Sequence, residues 1–369
     1  MASNILPRGN PASKIWVIPD KPYAKDSEKG YIFSSGYGYV FDRAWHDAGI
    51  SETPFICSIS DIDSTNPVEQ DYKVFLAAVE VYKPPFILPL GKTASALFCP
   101  ETRQKKKGVE TDETSLEKYA GSLLSSPDIS YPHYVIPQLS PDAVVAHWEY
   151  RFIYVGIDLQ HVRTEFDFLD KNNRLQPLPK RELIIHPIYN DLIEVLNDFS
   201  KAQFLSTDIE TIRPTKSSES FGKHPGYPYT ISLADSPKRG VSFSLWDYES
   251  EQLVTIYREL DKLLSTIGQI GQNYFTFDTH FLEALGFNIC LGKCQDTMLR
   301  HQLLWPELPH KLQFLTKQYT RQPYYKDEGK GWSPKNKKAL MHYNALDSTV
   351  TYEVYLEQEE EFNDRPYLR

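Results

Sequence analysis

The sequence predicts an α/β protein of two domains, the second built on a mixed β-sheet with helices on its faces. Three observations carry this. Between residue 200 and the end of the chain, strand patterns come first and helical patterns later, which suits a mixed sheet better than alternating βα units. Residues 12 to about 160 show a strand and helix pattern of their own. The stretch from Asp167 to Lys180 is polar, with two asparagines and two prolines, and reads as a linker. The predicted boundaries are a first domain over 1–165, a linker over 166–185 and a second domain over 186–369, each domain long enough to bury a core.

The elements follow in order. Ile15-Trp-Val-Ile18 is a short continuous apolar run, as a buried strand requires. After a glycine-rich turn, Val40 to Ala48 carries apolar residues at helical spacing and stops at Gly49. Phe86 to Gly91 is a second apolar strand, running into a helix from Thr93. In the second domain, strands are predicted over 204–210, 228–234, 240–245 and 267–272, with helices over 251–265 and 279–285, the last closed by Gly286. Three more helices begin near 296, 311 and 336.

Composition bounds the function class. Mean hydropathy is −0.46 and no apolar run reaches the length of a membrane span. The N-terminus lacks the apolar stretch of a signal peptide, so the expectation is a protein without a membrane partner, in the cytoplasm where it is made, the host's if viral. Four cysteines are too few for a disulfide scaffold, and Cys290 with Cys294 is read as structural. A net charge of −9 argues against coating nucleic acid by bulk electrostatics, though not against a nuclease whose cations sit locally.

The chemistry-bearing residues are acidic. Asp208 and Glu210 end the first strand of the second domain, and a period of two aims both at one face. Tyr343 and Asp347 are four apart in a helical pattern and share a face. Asp278 follows the strand over 267–272. Like charges brought close repel unless protons or cations neutralise them, and an oxygen-only ligand set selects hard Mg2+ or Mn2+.

In this order, Phe204-Leu-Ser-Thr-Asp-Ile-Glu-Thr211, Asn273-Tyr-Phe-Thr-Phe-Asp278 and His342-Tyr-Asn-Ala-Leu-Asp347 resemble the three motifs of the DEDD exonuclease superfamily, in its tyrosine branch. The resemblance implies a ribonuclease H-like fold and two-metal hydrolysis of phosphodiesters from 3′ ends. It implies that Asp208 bridges both ions, that Glu210 and Asp347 complete one site, and that Asp278 holds the second ion through water. Tyr343 would orient the attacking water. The run Tyr319 to Lys330 resembles the same region in proofreading domains of family A DNA polymerases, which implies DNA as substrate, met as single strands or frayed 3′ ends.

Asn273 helps position the terminal nucleotide in that family, and a strand-capping role competes with this. Phe277 is a candidate substrate contact too, although aromatics beside a strand are more often core, and core is the reading favoured for Phe275 and Phe277. Asp296 is read as a helix N-cap. Basic residues stand where DNA is expected: Arg213, Lys216, Lys223 and His224 after the first strand, and Lys326, Lys330, Lys335, Lys337 and Lys338 around Trp332. Cations interleaved with an aromatic suit a single strand. Arg213, Lys330 and Trp332 are the substrate contacts singled out.

The first domain resembles the uracil-DNA glycosylase superfamily through Val17-Ile-Pro-Asp-Lys-Pro22, Gly30-Tyr-Ile-Phe33 with Gly38, Leu90-Gly91 with Ala94, Tyr119-Ala-Gly121 and Pro137-Gln-Leu-Ser-Pro141. That resemblance implies a three-layer α/β domain. Ser140 stands where active members carry histidine, and the first motif keeps Asp20 but loses its glycines, which implies a degenerate pocket. The expectation is therefore a phage-type replication proofreading component that works with a separate DNA polymerase, since polymerase motifs do not follow Asp347. The rivals are an active repair glycosylase with an accessory nuclease, a non-catalytic polymerase subunit that binds DNA, and an RNA exonuclease.

Overall fold

Ile15–Pro19 is buried along its whole length, and its alternate side chains supply two separate cores. This is possible only for a strand covered on both faces. The computed structural model describes residues 5–59, 69–100, 103–106, 109–114, 116–212, 227–327 and 336–365. The chain divides into two units, Met1–Leu178 and Pro179–Arg369.

In the first unit, β1 (Ile15–Pro19), β2 (Phe55–Ile56), β3 (Phe86–Leu90) and β6 (Tyr134–Val135) form a parallel sheet in the order β2-β1-β3-β6, while β4 (Arg103–Lys106) and β5 (Val109–Thr114) pair as a separate hairpin. Ile15, Val17 and Leu88 pack on one face with Phe41 and Trp45 of the helix Gly36–Asp47 and Val162 and Phe166 of the helix Leu159–Asn172. Trp16, Ile18 and Ile87 pack on the other with Val79 and Phe98. The result is a helix, sheet, helix stack.

Three of the five segments singled out in this unit meet at the carboxyl ends of its strands. Asp20 N–H donates to Leu90 O, and Gly91 N–H to Gln138 O. Gly91 has φ +104, and a Cβ there would lie 2.3 Å from Asp20 Oδ2, so only glycine admits the carboxylate. Asp20 Oδ1 in turn accepts the Ala94 backbone N–H at 2.7 Å. Asp20 is therefore no simple loop residue: it covers the start of the helix Lys92–Phe98, and burial pushes its carboxyl up to about 6.

The second unit holds β7 (Glu182–Ile185), β8 (Phe204–Ile212), β9 (Tyr227–Ser236), β10 (Arg239–Phe243), β11 (Gly268–Gly271) and β12 (Gln295–Asp296). They form one sheet in the order β12-β11-β8-β9-β10-β7, antiparallel across β8, β9 and β10 and parallel at both flanks. Helices begin at Thr297, Leu312 and Lys337, each within a residue of expectation.

Three elements differ from expectation. β7 and the helix Tyr189–Phe199 belong to this unit's sheet and core, and the helix Leu159–Asn172 runs into the stretch expected to be linker. Glu182-Leu-Ile-Ile185 is too short to announce itself among polar and proline residues, and its pairing with β10 is remote in sequence.

The period of two in β8 sorts the site from the core. Leu205 and Ile209 face the cluster formed with Leu192, Leu196, Ile256 and Leu260. Ser206, Asp208 and Glu210 point the other way, toward the long helix Lys337–Asp364. That helix approaches β10 closely because Gly240 has no side chain, and a Cβ there would lie 2.7 Å from Thr349 Cγ2.

Candidate active site

Ligand oxygens of Asp208, Glu210 and Asp347 all lie within 4.8 Å of one another, and among the described residues this is the group of acids that converges so. Two carboxylates come from one strand and the third from the helix packed across it, so sheet and helix fix the triangle jointly. Asp278 stands behind it. It opens the helix Asp278–Ala284, is 2% exposed, and its Oδ1 accepts the Ile209 N–H at 3.0 Å, between the two acids of β8.

Neighbours that sequence reasoning did not single out for the site hold the acids in place. Asn344, fully buried, donates from Nδ2 to Asp208 Oδ2 at 2.6 Å and to Asp208 O at 3.2 Å. Its Oδ1 accepts the Ser242 hydroxyl at 2.8 Å, which settles the orientation of the amide. Tyr325 donates its hydroxyl to Asp347 Oδ1 at 2.6 Å, and Lys326 Nζ lies 2.5 Å from Asp347 Oδ2 and 3.1 Å from the Tyr343 hydroxyl. Asn344 adjoins a residue of the third motif, but nothing in its spacing marks it as a clamp on β8. Lys326 was visible as one of many cations in a basic stretch, its insertion among acids was not.

Burial and neighbouring acids raise Asp208, Asp278 and Glu210. Asp208 is held well above the carboxylate range by desolvation and then by Asp347, Asp278 and Glu210, against a smaller pull from Lys326. Asp278 is raised by desolvation against the Ile209 N–H bond. Glu210 is pushed up to about 7 by desolvation and Asp347. Desolvation and the three acids also hold Tyr343 above the usual phenol range, so its hydroxyl stays protonated at neutral pH.

A carboxyl raised in the fold keeps its proton there while the unfolded chain has lost it, so stability falls as pH rises from the unfolded to the folded value. In chelator, the protein is therefore expected to lose stability from about pH 4.5 to about 7, with Glu210 contributing on the order of 3 kcal/mol. Asp20 adds its own fall below about 6, so the informative comparison is with Glu210→Gln, whose melting curve against pH should be flatter. Parallel curves would show that Glu210 is not strained in this way.

Of the expected substrate contacts, Asn273 sits at φ +59 with its side chain accepting from the Thr276 hydroxyl. Phe277 is not core: it is 38% exposed, beside Asp278, with its ring edge-on to Phe281 at 5.0 Å. The turn preceding the helix carries it outward while the next residue turns in. Phe275 is partly buried. Asp296 is an N-cap, accepting Met298 N–H at 2.9 Å and also Asn273 N–H at 3.0 Å. Arg213, Lys330 and Trp332, like Lys216, Lys223, His224 and Lys335, lie outside the described residues. Lys337 pairs with Asp247 at 2.6 Å.

No protein-family model and no curated protein matches the chain. Solved structures do. The catalytic core of RRP6 from Trypanosoma brucei is 13% identical with a TM-score of 0.40, over 54% of this chain and 54% of that one. The Aedes aegypti Nibbler EXO domain is 16% identical at 0.40, over 52% and 98%. The POL domain of Pol1 from M. smegmatis, in complex with a DNA primer-template and dNTP, is 12% identical at 0.38, over 51% and 28%. The chain thus spans about half the length of the first and less than a third of the last. At these scores none of the likenesses decides the chemistry, which rests on the acidic site itself.

Proposed function

We propose that the protein is a metal-dependent 3′→5′ exonuclease that releases nucleoside 5′-monophosphates from DNA. The observation that carries the reading is the convergence of Asp208, Glu210 and Asp347 within 4.8 Å. The donors fit a divalent cation: every ligand atom is a carboxylate oxygen, burial and neighbouring acids raise Asp208 and Glu210, and the one described ammonium beside them, Lys326, offsets only part of this. When bound, Mg2+ or Mn2+ lowers the pKa of water and stabilises the charge that develops on the phosphorane and the leaving oxygen.

The chain's own groups do the rest. Asn344 fixes the carboxylate of Asp208, and Tyr325 fixes that of Asp347. Tyr343 keeps its proton and so acts by hydrogen bond, orienting a water rather than abstracting from it. Phe277 offers an exposed ring beside Asp278 for a terminal base to stack on. DNA as the substrate follows the likeness of Tyr319 to Lys330 to proofreading domains. In the same reading the first unit is a glycosylase-like domain that has lost excision. Three of its motif segments meet at the sheet's carboxyl edge, where such folds bind ligands, while Ser140 stands at the N-cap of a helix where active members place histidine. A net charge of −9 leaves delivery to 3′ ends to a partner such as a separate DNA polymerase.

The test uses 5′-labelled DNA and RNA strands of one sequence, open or blocked at the 3′ end, and a uracil-containing DNA. Stepwise loss from open 3′ ends of DNA is expected, falling steeply with salt and with no abasic sites formed. Digestion of RNA in preference would move the substrate to RNA, and cleavage from blocked ends would overturn the polarity. Abasic sites that persist with Asp208→Asn would restore excision to the first unit.

A further inference from the structure

We infer that Lys326 is the resident counter-cation of the acidic site, and that a divalent ion bound by Asp347 must displace its ammonium. The inference rests on the functional reading above and adds a residue that reading does not use. Lys326 Nζ lies 2.5 Å from Asp347 Oδ2 and 3.1 Å from the Tyr343 hydroxyl, over the rings of Tyr343 and Tyr325 at 4.9 and 5.2 Å from their centroids. Its side chain is 15% exposed, that of Asp347 5%. An ordinary surface lysine would leave its ammonium in water. This one spends it on a carboxylate flanked by two aromatic faces.

Both oxygens of Asp347 are engaged, Oδ1 by the neutral Tyr325 hydroxyl and Oδ2 by the ammonium. The same carboxylate completes the triangle with Asp208 and Glu210. A buried acidic cluster is neutralised by protons, by a metal ion or by a side-chain cation, and the fold provides the third. A divalent ion and an ammonium on one buried carboxylate repel strongly, so occupancy by one excludes the other. The tyrosine hydroxyl that Lys326 contacts is released at the same moment. Metal entry therefore frees both Asp347 Oδ2 and the Tyr343 hydroxyl, and the chain gains tolerance of the metal-free state at the cost of weaker metal binding.

The experiment measures Mn2+ binding to the full chain by calorimetry and by the loss of free-ion electron paramagnetic resonance signal, together with melting in chelator. Lys326→Met is expected to bind Mn2+ about tenfold or more tightly than the wild type, because a neighbouring positive charge is gone. It should also melt lower in chelator and gain more on adding Mn2+. Lys326→Arg keeps the charge and should stay within about threefold of the wild type in affinity. Unchanged or weaker Mn2+ binding by Lys326→Met, with unchanged melting in chelator, would overturn the inference. Mn2+ binding that survives Asp208→Asn would instead sink the site assignment, and the inference with it.

Discussion

Asp208→Asn is expected to lower exonuclease turnover by about a thousandfold or more, since it removes a charge preorganised at the reacting centre. The substitution is close to isosteric, and Asn344 can still donate to the remaining side-chain oxygen. What disappears is the negative charge that, with Glu210 and Asp347, makes a divalent site. The same change should raise the melting temperature in chelator, because Asp208 is destabilised by burial and by three neighbouring acids. Lost activity with gained stability separates a functional residue from a structural one. A variant that is inactive because it unfolds would show the opposite sign.

Tyr343→Phe is expected to cost roughly ten- to a thousandfold in turnover, the range of a single positioned catalytic group. The ring remains packed beside Tyr325 at 6.0 Å and against the cluster of Leu312, Leu315 and Val350. Only the hydroxyl is removed. Because that hydroxyl is held protonated, the loss should appear in kcat and leave the pH profile in the neutral range without a new titration. The variant also takes one hydrogen bond from Lys326, so its melting in chelator should fall by about 1 kcal/mol. Full turnover with lowered stability would make Tyr343 a packing residue.

The parts of the site that depend on local periodicity were legible in the sequence. Asp208 and Glu210 share a face because a strand repeats every two residues, and Tyr343 and Asp347 because a helix brings residues four apart together. Asp296 announced its role as a cap by standing one residue before a helical run. What stayed hidden depends on tertiary contact. Asn344 reaches Asp208 across 136 positions, and only because Gly240 lets the helix lie close to the sheet. Lys326 sits in a run of cations whose composition suits solvent and substrate alike, and nothing local says that one turns inward. Phe277 went wrong for a related reason. Its neighbour Asp278 had to point in, and a turn at Asn273 with positive φ reverses the alternation expected of a continuing strand.

The first unit shows the same division. Its strands were visible as apolar runs, but the constraint that explains Gly91 is a carboxylate from another strand end, Asp20, with 2.3 Å between that oxygen and a hypothetical Cβ. Gly38 is similarly closed, a Cβ there meeting Phe33 O at 1.9 Å. Such glycines mark a backbone approach that sequence alone records only as a missing side chain.

The most direct measurement of the central claim follows the products from a 5′-labelled single-stranded oligonucleotide. Wild type and Asp208→Asn from parallel preparations are incubated with Mg2+, with Mn2+ and with chelator. A ladder shortening one nucleotide at a time, with 5′-mononucleotides released, is predicted for the wild type with either metal and for neither protein in chelator, while Asp208→Asn stays at least about a thousandfold slower throughout. An equal ladder from Asp208→Asn, or digestion by the wild type in chelator, would contradict the assignment of Asp208, Glu210 and Asp347 as a metal-dependent nuclease site.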